Sequence, residues 1–282
     1  MKLASFLLDG KRHVGAMTTQ GLAVLDVDGD IGDLLRQGID RAGFQTLLDK
    51  STRTVDPAQV RFVQPCAEPR KILCVGLNYA DHTKESPYEQ PNYPTLFLRV
   101  ATATSGHGAV IERPLVSEQL DYEGEMVVVL GKGGRHIPKE KALDCVFGYA
   151  VGNEVSVRDY QFKSPQWTVG KNFDGTGAWG PCIVTADELP AGGKGLKLLT
   201  RLNGRVVQTA DTNDMIYDVA SIISTASEAM TLQAGDVIFS GTPAGVGLGH
   251  KPPLWMKDGD EVEVEIERIG LLRNTIRDEQ RG

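Results

Sequence analysis

The 282-residue sequence predicts an α+β chain, mainly β with a few helices. Three observations point there. Short apolar runs bounded by Gly, Asp and Lys outnumber stretches of helical periodicity. The regular strand–helix alternation of a doubly wound sheet is missing. Asn203-Gly204 separates two apolar runs, a strong hairpin signal.

Taken in order, residues 3–8, 14–17 and 22–27 are short apolar runs, and residues 31–37 and 42–48 have helical spacing. A polar, Pro-containing stretch follows at 51–58, and 60–69 reads as a connection. A boundary near residue 65 then divides a small amino-terminal region, 1–65, from the remainder, 66–282. That remainder is rich in candidate strands: 72–75, 95–98, 123–130, 148–157, 196–202, 206–209, 237–240, 262–266 and 271–276. Val219, Ile222, Ile223, Ala226 and Met230 keep a 3.6-residue stripe, which predicts a helix. A second short helix, 139–145, follows Pro138, a residue suited to a helix start.

Composition removes several classes of function. Lys and Arg total 30 against 37 Asp and Glu, a net charge of -7. That balance argues against nucleic acid or an anionic membrane as the main partner. A hydrophobic share of 41% is too high for a disordered chain. No run approaches the roughly 18 apolar residues of a membrane span, and residues 3–8 read as a first strand and not as a signal peptide. Cys66, Cys74, Cys145 and Cys182 form no Cys-x-x-Cys pair. Reduced thiols in a cytoplasmic protein are the expectation.

The most informative segment is Asp121-Tyr122-Glu123-Gly124-Glu125, followed by an apolar run. In a strand, Glu123 and Glu125 project to one face. Two adjacent carboxylates need compensation, and a hard divalent cation supplies it. An exposed face with acids paired to Lys or Arg is the competing reading, which the flanking apolar run weakens. Glu154 or Asp159 could complete a three-carboxylate site. If 78–85 is helical, His82 and Glu85 share a face, and a carboxylate orienting an imidazole gives a base that works near neutral pH. An ordinary surface pair is the alternative. Lys171, in a Gly-flanked segment with aromatic neighbours, could hold an anionic substrate or oxyanion, or be simply solvated. The loop 241–247 offers backbone N–H groups and the Thr242 hydroxyl, but it carries neither a dinucleotide nor a P-loop signature. His13, His107, His136 and His250 have no comparable partner nearby in sequence and read as surface residues.

In this order these segments resemble the fumarylacetoacetate hydrolase family. The matching residues are 75–82 with Glu85, then Glu123-x-Glu125. Gly148-Tyr149-Ala150, residues 153–159 with Gln161, Lys171 and Gly241-Thr242-Pro243-Ala244-Gly245-Val246-Gly247 follow. The resemblance covers about residues 66 to 276. It implies a mixed β roll or sandwich-like catalytic core with a small amino-terminal α/β accessory domain, usually in a homodimer. It further implies that Glu123, Glu125 and Glu154 hold Mg²⁺ or Mn²⁺, that His82 and Glu85 form a base dyad on a lid, and that Lys171 polarises substrate. Gln161 and Thr242 match substrate-contacting positions, with Arg158 in support. Two departures stand out: Glu154 replaces the usual Asp, and Arg99-Val100 replaces the commoner Lys-Pro.

The implied activity is a metal-dependent hydrolase cleaving a carbon–carbon bond in an acylpyruvate or related β-diketo acid. The same enolate chemistry also serves decarboxylation, lyase cleavage or isomerisation of a keto diacid, and a non-catalytic binding protein is a third reading. Substrate selectivity is expected in residues 86–93 and 248–256, where Tyr88, Tyr93 and Trp255 suggest an aromatic mouth or simple packing.

Overall fold

The computed structural model describes residues 1–85 and 89–281. Ser86, Pro87 and Tyr88, at the start of the predicted lid, lie outside the described residues. A twelve-stranded sheet and a five-stranded sheet dominate, with helices packed around them, so the α+β expectation is met.

The strand Gly124–Leu130 lies inside the large sheet. It pairs antiparallel with Val146–Glu154 on one side and with Val237–Phe239 on the other. Its side chains alternate between two cores. Met126, Val128 and Leu130 face the core shared with the five-stranded sheet and the helix Val219–Ala229. Val127 and Val129 face a second core built with Leu3, Val14, Ile31, Leu34 and Phe44 from the amino-terminal region. A strand covered on both faces reads as a continuous apolar run, which is why 126–130 shows no alternation. Each fully buried Val or Leu contributes about 1.5–3 kcal/mol, so this strand is a rigid mount for the acids at its start.

The helix Val219–Ala229 buries Val219, Ile222, Ile223 and Ala226, as its periodicity predicted. Asp218 caps it by accepting the Ser221 N–H at 2.9 Å. The Asn203-Gly204 hairpin is present, with φ values of 52° and 77° as a two-residue turn of this kind requires.

The amino-terminal region is not detached from the rest. Lys2–Leu8 pairs with Gly177–Thr185, so one ladder runs through both parts. The 60–69 connection contains a short strand, Arg61–Val63, which adds to Lys2–Leu8. The polar stretch before it contains Arg53–Val55 at the sheet edge. Gly177–Thr185 itself was not legible in the sequence. Gly180-Pro181 interrupts it, and Pro in a strand normally argues against one. Here that dipeptide sits where the pairing with Val146–Glu154 slips register, so the missing N–H breaks no regular ladder.

Candidate functional site

Three strands deliver the acids. Glu123 follows the short strand Leu120–Asp121, Glu125 lies within Gly124–Leu130, and Glu154 ends Val146–Glu154. Pairing of Gly124 with Asn153, and a 2.8 Å bond from the Glu154 N–H to the Glu123 carbonyl, bring the three together. One carboxylate oxygen from each lies within 4.8 Å of the others, and all three residues are buried. Gly124 is a steric requirement: a β carbon there would stand 2.2 Å from Thr200 Oγ1. Asp159, the other candidate for third acid, instead accepts the Ser117 hydroxyl at 2.5 Å.

Three buried cations surround the acids. Lys171 Nζ bonds both oxygens of Glu123, at 2.9 and 3.0 Å, and Glu154 Oε2 at 2.6 Å. Arg158 bonds Asp121 at 2.7 Å and places Nη1 2.9 Å from both Gln161 Oε1 and Glu123 Oε1. Arg99 Nε meets Glu154 Oε1 at 2.5 Å, while its two terminal nitrogens reach the Val155 carbonyl and the Thr176 hydroxyl. The two departures from the family pattern, Arg99 and Glu154, are thus in direct contact.

Burial alone would raise the Glu123 carboxyl, but the Lys171 ammonium and Arg158 guanidinium outweigh it and hold Glu123 below the usual carboxylate range. Glu125 goes the other way. Burial raises it well above the usual range, Glu154 and Glu123 push in the same direction, and the Gly241 N–H at 2.8 Å opposes them. Burial opposes the charge on Lys171, yet Glu123 and Glu154 raise its pKa, so it stays an ammonium. Counted together, Asp121, Glu123, Glu125 and Glu154 are four acids facing the three cations Arg99, Arg158 and Lys171. Among the described residues Glu125 is the one of the four with no ion-pair partner, and its raised pKa favours the neutral carboxyl, which a bound cation would reverse. An all-oxygen donor set with uncompensated charge fits a hard divalent cation.

The helix Ala80–Glu85 carries His82 and Glu85 on one face, with His82 Nδ1 3.1 Å from Glu85 Oε1. This leaves Nε2 for the cavity that His82 lines together with Glu123, Glu154, Arg158, Gln161 and Lys171. The cavity opens to solvent. Thr242 also lines it, with its hydroxyl donating to the Gly124 carbonyl and accepting from Gln208. The loop N–H groups are engaged by the protein itself. Those of Gly245 and Val246 bond Glu85, at 2.9–3.3 Å, and those of Gly247 and Leu248 bond Asp121, at 2.6 and 3.0 Å. Beyond the candidates, Trp255 is half-buried and Tyr93 exposed.

Sequence reasoning missed three contributors. Asp121 extends the two-residue spacing of Glu123 and Glu125, and that spacing was the available signal. Gln208 bonds both the Gly124 N–H and Thr242, and no sequence pattern marks it. His250 is half-buried, with Nε2 3.3 Å from the Tyr122 hydroxyl, where a surface residue was expected.

Known proteins are similar to this chain in sequence and in fold. The rat mitochondrial oxaloacetate tautomerase Fahd2a is 37% identical over 275 residues, covering 94% of this chain and 87% of its own. The oxaloacetate tautomerase YisK of Bacillus subtilis is 40% identical over 223 residues, covering 78% and 74%. Among solved structures, the fumarylacetoacetate hydrolase from Exiguobacterium antarcticum superposes with a TM-score of 0.87 at 37% identity, over 99% of this chain and 100% of that one. The 2-hydroxyhepta-2,4-diene-1,7-dioate isomerase from Mycobacterium marinum gives 0.79 at 31% identity, over 100% of both chains. The fumarylacetoacetate (FAA) hydrolase C-terminal family matches residues 71–277. This chain is an enzyme of the fumarylacetoacetate hydrolase family.

Proposed function

We propose that the site interconverts the keto and enol forms of a short 2-oxo dicarboxylate of the oxaloacetate type. The single observation that carries this reading is Arg158 Nη2, a buried guanidinium nitrogen with no hydrogen-bond acceptor among the described residues. A buried unpaired donor costs about 1–3 kcal/mol, and a substrate carboxylate in the cavity that Arg158 lines would satisfy it. The names of the rat and Bacillus subtilis relatives agree with this substrate.

Glu123, Glu125 and Glu154 would hold the Mg²⁺ or Mn²⁺. When bound, the cation supplies electrophilic stabilisation of negative charge on the 2-oxo oxygen. Lys171, kept protonated by two acids, sets its positive charge beside that oxygen. His82, oriented by Glu85, takes a proton from C3 through Nε2, and the imidazolium returns it to the oxygen. The net change is an isomerisation with no other reactant. Arg158 and Gln161 hold a carboxylate so that the C3 proton faces His82.

The second reading is hydrolysis of an acylpyruvate, favoured by the same dyad, since a Glu-oriented His also activates water. Following the ultraviolet absorbance of enol-oxaloacetate, and product masses from acetylpyruvate, with Mn²⁺ and with EDTA, separates the two. Mn²⁺-dependent ketonisation supports the first reading. Its absence, with acetylpyruvate cleaved to acetate and pyruvate, transfers the function to the second. The family resemblance also favours a homodimer, which a single 30.6 kDa species in sedimentation would exclude.

A further inference from the structure

Glu85 orients His82, and the backbone orients Glu85. Its Oε1, the oxygen 3.1 Å from His82 Nδ1, accepts the Gly245 N–H at 2.9 Å and the Val246 N–H at 3.3 Å. The Val246 N–H belongs to the same peptide unit as the Gly245 carbonyl, and that carbonyl accepts the Tyr122 hydroxyl at 3.0 Å. One rigid plane therefore carries the phenol on one edge and the carboxylate on the other. The plane has little room to turn. Gly245 has a φ of 98°, and a β carbon there would stand 2.1 Å from the Val207 carbonyl oxygen. Gly249 closes the far side, since a β carbon on it would stand 2.4 Å from Glu85 Oε2.

Tyr122 is itself held. It is fully buried in the core, and His250 Nε2 lies 3.3 Å from its hydroxyl and 3.4 Å from the Gly245 carbonyl oxygen. A phenol has a single proton to donate. With a proton on Nε2, His250 donates to the phenolic oxygen, and the phenolic proton is left to the carbonyl alone. Hydrogen bonds in a chain polarise one another, so a donor at the carbonyl makes the N–H of the same unit a better donor to Glu85. Neither Tyr122 nor His250 is among the described residues that line the cavity, so their influence on the dyad passes through the loop.

We infer that Tyr122 is a positioning residue for the His82–Glu85 dyad, acting through the Gly245–Val246 peptide and backed by His250. The inference rests on the dyad's role as base, which both readings above share, and deepens it.

The test compares wild type, Y122F, E85A and Y122F/E85A in Mn²⁺, by turnover of enol-oxaloacetate and of acetylpyruvate. A group misplaced by about 1 Å can cost roughly 10²-fold, so a loosened base should cost Y122F roughly tenfold in kcat, with KM and the Mn²⁺ dissociation constant within about twofold. In the E85A background the same change should cost nothing further, because the carboxylate it positions is gone; a defect independent of Glu85 would multiply instead. H250A should lower kcat in the same direction as Y122F, and H250Q, whose amide still donates, should restore most of it. This pair supplies the reading if Y122F does not fold. A second readout needs no activity. In protein labelled with ¹⁵N-histidine, with the His82 signal assigned by H82A, Y122F and H250A should move the His82 Nδ1 resonance in the direction that E85A moves it. If the wild type turns over neither substrate, the functional readings fall, and the histidine signal alone decides this inference. Unchanged turnover in an active enzyme, an unmoved His82 signal, or a cost that multiplies undiminished with E85A each overturns it.

Discussion

Replacing Arg99 with Met tests whether the buried ion network is held by this guanidinium. Arg99 and Glu154 are both fully buried and meet at 2.5 Å. Removing one partner of such a pair costs about 3–5 kcal/mol, because a charge is left uncompensated out of water. Glu154 keeps Lys171 at 2.6 Å, so the lower end, about 3 kcal/mol, is expected. The exposed pair Lys84–Asp81 has a similar distance, 2.6 Å, but both side chains are more than three-quarters accessible. Its removal should cost about 0–1 kcal/mol, which makes it the control. Urea unfolding in EDTA at neutral pH measures both. A loss below about 1 kcal/mol in R99M would refute the reasoning. A double-mutant cycle with R99K and E154D sharpens it: the two side chains should couple by about 0.5–3 kcal/mol, as contacting groups do.

Three further outcomes follow from the geometry. E125Q removes the acid that burial and two neighbouring carboxylates disfavour, so it should raise the unfolding midpoint in EDTA while weakening Mn²⁺ binding at least tenfold by calorimetry. H82A should lower turnover by about 10²–10⁴-fold and leave the Mn²⁺ dissociation constant within about twofold, because the carboxylates stand on other strands; a matched loss of metal would count against the dyad. Asp218 is partly buried, and its bonds to Ser221, with Lys194 and Lys139 nearby, overcome burial and depress its pKa. A depressed carboxylate stabilises above its unfolded pKa of about 3.9 and loses that contribution as pH falls. D218A should therefore cost about 1 kcal/mol at pH 7, and the difference from wild type should shrink in melts below about pH 4.

The parts of the molecule governed by local pattern were legible. Two-residue spacing put Glu123 and Glu125 together, a three-residue offset put His82 beside Glu85, and a 3.6-residue stripe marked Val219–Ala229. What escaped was set by distant contacts. Arg99 lies 55 positions from Glu154, and Gln208 lies 84 from Gly124. No periodicity encodes such partners. Gly177–Thr185 escaped for the opposite reason, since its local signal at Gly180-Pro181 argued against a strand that long-range pairing nevertheless builds.

The shared loop has a thermodynamic consequence. Consecutive amides from Gly245 to Leu248 serve two carboxylates on different elements, Glu85 on the helix and Asp121 on the strand, and Asp121 in turn aims Arg158. Docking of the helix and orientation of the guanidinium are therefore linked through one stretch of backbone. Linkage of this kind is reciprocal. Whatever factor helix docking adds to the affinity for an anion at Arg158, the anion returns to the docking of the helix. The His82–Glu85 pair and the Arg158 guanidinium thus share one stretch of backbone for their anchoring.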